Sequence, residues 1–206
     1  NGQLGGSRDV LEGMGLGTID ATLVSAGPLA QFVPELDVLS LPYIFSGTEH
    51  MYKVLDGDPS KIMEEYLKNK GFTYLGWTDA GSRNMLNNIR PVHKPEDLKG
   101  VKTRVMDSQI MIDTINYMGG IATPLSYGEV YSALQQDVID GWENNPPSVL
   151  SSKLYEVSEY FSWTKHFMVP DALIISNKSY ADLSEAHQSI LLECGEMMKI
   201  EQRVIY

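Results

Sequence analysis

Residues 101–125 read Val-Lys-Thr-Arg-Val-Met-Asp-Ser-Gln-Ile-Met-Ile-Asp-Thr-Ile-Asn-Tyr-Met-Gly-Gly-Ile-Ala-Thr-Pro-Leu. Residues 101–106 alternate between apolar and polar as a strand does, and residues 107–117 return to helical spacing. Gly119-Gly120 ends the helix, and residues 121–125 are extended again. Strand, helix and strand follow one another with short connections, and the same rhythm continues outward in both directions. Ser126-Tyr127-Gly128-Glu129 is a capping box that opens a helix running to about residue 136. Residues 138–141 read as a short strand ending in a turn. After Pro146-Pro147 comes a helical stretch over 148–154, then strands over 155–164 and 171–176.

Toward the N-terminus, residues 87–100 form a polar connection punctuated by Pro91 and Pro95. Residues 72–79 read as a strand, and residues 48–70 have helical spacing with a break at Asp56-Gly57-Asp58-Pro59. Residues 32–45 suggest extended chain and short turns. Residues 18–26 form an apolar strand after a short helix over 8–15. Helices alternating with short strands argue for an α/β fold with mainly parallel sheets. The sequence shows no internal repeat and no low-complexity tract.

With 206 residues the chain suits one large domain or two lobes. Its 16 Lys and Arg against 27 Asp and Glu give a net charge of −11, which disfavours nucleic acid and anionic lipid as partners. A few cations converging in a cleft remain compatible with binding one small anion. Cys194 stands alone, so neither a disulfide nor a cysteine zinc site forms within the chain, and its neighbours Leu191 and Leu192 predict a small buried hydrophobe. No apolar run reaches the roughly 18 residues of a membrane span, and no signal peptide is present in the chain. The turn-like start at Asn1-Gly2-Gln3-Leu4-Gly5-Gly6 and the stop at Val204-Ile205-Tyr206 inside a helical pattern read as a piece of a longer protein.

The motifs of common chemistry are missing. There is no G-x-S-x-G nucleophile turn, no phosphate loop and no dinucleotide fingerprint; Gly13-Met14-Gly15-Leu16-Gly17 has the wrong spacing and precedes a strand. His50, His93, His166 and His187 are scattered without metal-ligand spacing, and structural roles are expected for them. His166, set among Trp163, Phe167 and Met168, is the one with most reason to differ. Asp140 and Glu143 flank Gly141-Trp142 in an apolar setting, where they serve either as a raised-pKa acid or as ties for a turn. Neither a cofactor nor a metal is expected.

Arg104 is the more informative residue because it sits inside a strand pattern. A buried guanidinium must meet a carboxylate, which leaves two readings open: a structural ion pair to Asp107 or Asp140, or a clamp for a ligand's carboxylate. Its planar fork suits bidentate capture of that group.

Several ordered stretches together resemble the DctP-type extracytoplasmic solute receptors of tripartite ATP-independent periplasmic (TRAP) transporters. They are Asn1 to Gly6 with Arg8, Gly17-Thr18-Ile19-Asp20, Asp97-Leu98-Lys99-Gly100-Val101-Lys102-Thr103-Arg104-Val105 and Ala122-Thr123-Pro124-Leu125. Gly128-Glu129-Val130-Tyr131-Ser132-Ala133-Leu134-Gln135 and Asp140-Gly141-Trp142-Glu143-Asn144 complete the set. The resemblance implies an α/β, two-lobed periplasmic-binding-protein-like architecture with a ligand cleft between the lobes, truncated here at both ends. Residues 1–80 and 170–206 would form one incomplete lobe, and 81–169 the other.

It also implies function. Such a receptor is not an enzyme; it binds a carboxylate-bearing small molecule in the periplasm and hands it to a sodium-driven TRAP membrane permease. Arg104 would clamp the carboxylate, aided by Arg83 and Asn144, with Tyr127 and Trp142 as aromatic walls. Asp107 would accept bonds from ligand hydroxyls, and Ser25 and Ala26 would face the cleft. Trp142 and Tyr127 read equally well as core aromatics, and Asn144 as a turn residue before Pro146. Glu143-Asn144-Asn145-Pro146-Pro147-Ser148 most resembles receptors for sugar acids such as hexuronates. A C4-dicarboxylate or 2-oxo acid is the alternative ligand, and an enzyme such as a lyase or isomerase on the same acids the alternative class.

Overall fold

A computed structural model describes residues 3–205; Asn1 and Gly2 of the expected N-terminal turn and Tyr206 of the expected C-terminal helix lie outside them. In chain order the elements are α1 (Ser7–Leu16), β1 (Ala21–Ser25), α2 (Ala26–Leu29), α3 (Thr48–Leu55), α4 (Asp58–Asn69), β2 (Phe72–Thr78) and β3 (Arg83–Asn87). There follow β4 (Lys102–Val105), α5 (Gln109–Tyr117), β5 (Ile121–Pro124), α6 (Val130–Gln135), β6 (Gly141–Asn144) and α7 (Pro146–Ser151). The last are β7 (Tyr160–Phe167), β8 (Asp171–Ser176), α8 (Asn177–Ala181) and α9 (Glu185–Ile205). The described residues group into two compact units, one of Ser40–Ile44 and Ser82–Met168, the other of residues 3–39, 45–81 and 169–205.

The second of these units is built on a three-stranded sheet, ordered β1-β8-β2, in which β8 runs antiparallel to both neighbours. Helices α4 and α9 pack on β2. Gly195 makes the α9 contact possible, because a Cβ there would lie 2.2 Å from the Leu75 carbonyl oxygen. Cys194, one residue earlier and so turned about 100° away around the helix, is exposed. The expectation that it is buried is therefore wrong: apolar neighbours in sequence do not share its helix face. No helix among the described residues is long and apolar enough to cross a membrane.

The other unit carries a five-stranded mixed sheet in the order β5-β4-β6-β3-β7. The strand-helix-strand stretch that opens the sequence reading is β4-α5-β5, and its strands are parallel, as are β4 and β6. β3, however, runs antiparallel to both β6 and β7. The expectation of mainly parallel sheets thus fails in both units. Helical crossovers enforce parallel pairing only where consecutive strands share a sheet; β2 and β3, like β7 and β8, are consecutive strands in different sheets with no helix between them.

Two boundaries also shift. The strand expected over 138–141 starts where it was expected to end, at Gly141, because Asp137 adopts a left-handed φ of 56° and turns the chain first. Gly141 is required there, since a Cβ would sit 2.5 Å from the Leu86 carbonyl oxygen of β3. Residues 154–156 form a 3₁₀ turn, and β7 begins only at Tyr160. Under the sheet, Leu86, Val130, Leu134, Ile139, Val149 and Leu154 enclose Trp142 in a core. The Ser40–Ile44 segment joins this unit through Tyr43, whose N–H donates to His166 O at 3.0 Å and whose hydroxyl donates to Thr164 O at 3.3 Å.

Candidate functional site

β4, β5 and β6 are parallel, so their carboxyl ends lie on one edge of the sheet. In open α/β sheets ligands bind outside the carboxyl ends of the strands. Beyond β4 the chain turns at Met106 and Asp107 into α5, capped by Ser108, whose Oγ accepts the Met111 N–H. Beyond β5 the Ser126 cap is completed by Glu129, whose Oε2 accepts both the Ser126 N–H at 3.1 Å and its hydroxyl at 2.6 Å. Beyond β6, Asn145 caps α7 by accepting the Ser148 N–H at 2.7 Å. Three capped turns thus bring Arg104, Asp107, Tyr127 and Asn144 to one sheet edge.

Arg104 is only 3% exposed. Its Nε donates to the Leu125 carbonyl at 2.9 Å, and it forms no ion pair among the described residues. Burial pushes its pKa down to about 10, a shift opposed by the charge of Glu143 and deepened by that of Arg83, so the guanidinium stays charged at neutral pH. Neither carboxylate considered as its structural partner fills that role. Asp140 serves Lys102, accepting its N–H at 2.8 Å and lying 3.7 Å from its Nζ. Asp107 is exposed and makes no ion pair with Arg104.

Arg83, 4% exposed, is held differently. Its Nε and Nη2 both donate to the Glu143 carboxylate, the second at 2.8 Å, and Nη2 also reaches the Glu143 carbonyl at 2.9 Å. Glu143 is wholly buried on β6, the strand that separates β3 from β4. Both acids flanking Gly141-Trp142 are therefore engaged as structural ties, which favours that reading over a general acid.

Asn144 is buried; its Oδ1 accepts the Asn145 N–H at 2.8 Å, while its Nδ2 donates to no protein acceptor among the described residues. Tyr127 is 46% exposed, with its hydroxyl bonded to Ser152 Oγ, and it lies within the electrostatic reach of Arg104. Trp142 is a correction: at 0% exposure, enclosed by the core with Nε1 donating to Ser158 Oγ at 3.2 Å, it has no open face to serve as a wall. Ser25 and Ala26, at the β1–α2 junction, belong to the other unit; the Ser25 hydroxyl is buried without a partner among the described residues, and the Ala26 N–H donates to Pro170 O at 3.0 Å.

His166 is not among the site residues expected from sequence, although its apolar setting is the available signal. It is 1% exposed on β7, and Thr164 Oγ1 lies 2.8 Å from Nδ1. Thr164 Oγ1 also accepts the Met85 N–H at 3.2 Å. Nε2 is buried and has no partner among the described residues. Burial first, and the Arg83 charge second, push the His166 pKa down to about 3 and keep the ring neutral. A cavity of about 540 Å³ is lined by His166 with Tyr43, Met85, Phe161 and Trp163, but not by Arg104 or Asn144. No group of three or more His, Cys, Asp or Glu among the described residues is arranged to hold a metal ion.

Comparison with known proteins places this geometry in context. The model of the bacterial extracellular solute-binding proteins of family 7 matches residues 1–206. A solute-binding protein of Chromohalobacter salexigens is 39% identical over 206 residues, and the chain spans 61% of that relative's length. A TRAP periplasmic solute-binding protein from a Sulfitobacter species, solved with bound β-D-galacturonate, superposes with a TM-score of 0.97 at 39% identity, covering 99% of this chain and 68% of that one. Another, from a Polaromonas species with bound D-erythronate, gives a TM-score of 0.95 at 36% identity, covering 98% of this chain and 66% of that one.

Proposed function

The chain belongs to the bacterial extracellular solute-binding proteins of family 7, and from that premise we propose that it is a periplasmic receptor for a sugar acid, of the hexuronate kind, delivering it to a TRAP membrane permease. The observation that carries this reading is Arg104, a buried cation with no carboxylate bonded to it among the described residues. A buried charge without a counter-charge costs several kcal/mol unless a partner arrives. With Nε held by Leu125 O, the two Nη groups form the end-on fork that a carboxylate meets with two parallel hydrogen bonds.

Around that fork stand groups suited to hydroxyls. Asn144 Nδ2 is a donor without a protein acceptor among the described residues, and Asp107 is an exposed carboxylate at the same sheet edge. Tyr127 offers a ring face to a sugar. Relatives solved with β-D-galacturonate and with D-erythronate support the same class, since both ligands combine one carboxylate with several hydroxyls. Glu143 is not available as the base that a lyase or isomerase would need near Arg104, because both its oxygens are taken up by Arg83.

Isothermal titration with galacturonate, galacturonate methyl ester and galactose tests the reading. Galacturonate should bind, and the ester, which keeps the hydroxyls and loses the charge, should bind at least about tenfold more weakly. Equal affinity for acid and ester, or conversion of the bound acid into another compound, would overturn it.

A further inference from the structure

Among the described residues of the unit that holds Arg104, the buried ionisable side chains are Arg83, Arg104, Glu143 and His166. They stand on four strands of one sheet, with Glu143 on β6 between Arg104 on β4 and Arg83 on β3. Glu143 gives both carboxylate oxygens to Arg83 and none to Arg104. His166 remains neutral, because burial holds its pKa at about 3. Two guanidiniums against one carboxylate leave the buried group with one positive charge, and that charge resides on Arg104.

We propose that Glu143 sets the charge of the accepted solute: by cancelling Arg83 it leaves a site for one carboxylate and discriminates against a second. The inference rests on reading Arg104 as the carboxylate site. Without Glu143, two buried cations in one sheet would suit a dicarboxylate; with it, a second carboxylate meets no uncompensated cation. Asp107 and Glu129, exposed at the carboxyl ends of β4 and β5, add negative potential on the same sheet edge. Glu143, whose two oxygens are taken by Arg83 and whose charge also bears on Arg104, is a positioning residue for charge.

The test compares linear acids that share a hydroxyl skeleton: galactonate, galactarate, which replaces the terminal alcohol with a second carboxylate, and galactarate monoamide, which keeps the size and removes the charge. Calorimetry on the protein should show galactarate weaker than galactonate by roughly tenfold or more, with the monoamide restored to within a few-fold of galactonate. Glu143→Gln should narrow the galactonate-to-galactarate ratio by a similar factor; a purely structural role would weaken both acids alike and leave the ratio unchanged. Should that variant fail to fold, the ligand series on the unaltered protein decides. Galactarate binding as tightly as galactonate, or galactarate and its monoamide both rejected, overturns the proposal. Failure of galactonate and galacturonate alike to bind sinks the sugar-acid reading itself, so the two failures are distinguishable.

Discussion

Two arginines in one sheet, Arg83 and Arg104, are almost equally buried, at 4% and 3% exposure, yet they are held in opposite ways. Arg83 has a carboxylate across two hydrogen bonds, whereas Arg104 has one backbone carbonyl and no carboxylate. Burial of a charge alone therefore says little about its purpose; what separates a structural cation from a ligand site is the list of its partners. Arg83 is complete within the protein. Arg104 is half-satisfied, with its Nε occupied and its fork left over.

The comparison can be broken first at Glu143. Glu143→Ala should leave Arg83 buried without its carboxylate and destabilise the protein by about 3–5 kcal/mol, read as a loss in chemical denaturation midpoint at unchanged slope. Replacing Arg83 and Glu143 together with apolar residues should cost far less, because the penalty belongs to the orphaned charge. A single variant as stable as the parent would show that the pair is not what holds Arg83.

A smaller effect concerns His166, the buried neutral base near Arg83. Its pKa of about 3 in the folded protein lies below its ordinary value of 6.5, so between the two the unfolded chain binds a proton that the folded protein does not. Its contribution to stability is thus complete above pH 6.5 and is lost as pH falls, at about 1.4 kcal/mol per pH unit once well below that value. Between pH 6.5 and 5.5 the unaltered protein should lose about 1 kcal/mol more than His166→Gln. Parallel pH profiles for the two proteins would mean that His166 takes up its proton in the folded protein as it does in the unfolded chain.

Much of this was legible in the sequence where local pattern sufficed. The β4-α5-β5 succession, the Ser126–Glu129 capping box and the helix break near Asp56-Gly57 rest on near neighbours, and the structure has them. β3 was not legible, because Arg83-Asn84-Met85-Leu86-Asn87 is buried at every position and shows no alternation between faces. The antiparallel pairings were hidden too, since they depend on which strand returns to which sheet. Trp142 looked like a wall through its place beside Arg104 in register, yet its ring lies in the core. The partners that decide the arginines are chosen across the sheet: Glu143 is 60 residues from Arg83, and Asp140 is 38 residues from Lys102. No local reading of Arg104 could choose between ion pair and clamp.

The most direct test of the central claim measures stability and affinity together in Arg104→Met, which keeps an unbranched apolar stem and removes the charged fork. If Arg104 is held for a solute's carboxylate, the variant should be at least as stable as the parent without ligand, while galacturonate affinity falls by about a hundredfold or more. A variant destabilised by several kcal/mol with affinity retained would show instead that Arg104 is a structural cation like Arg83.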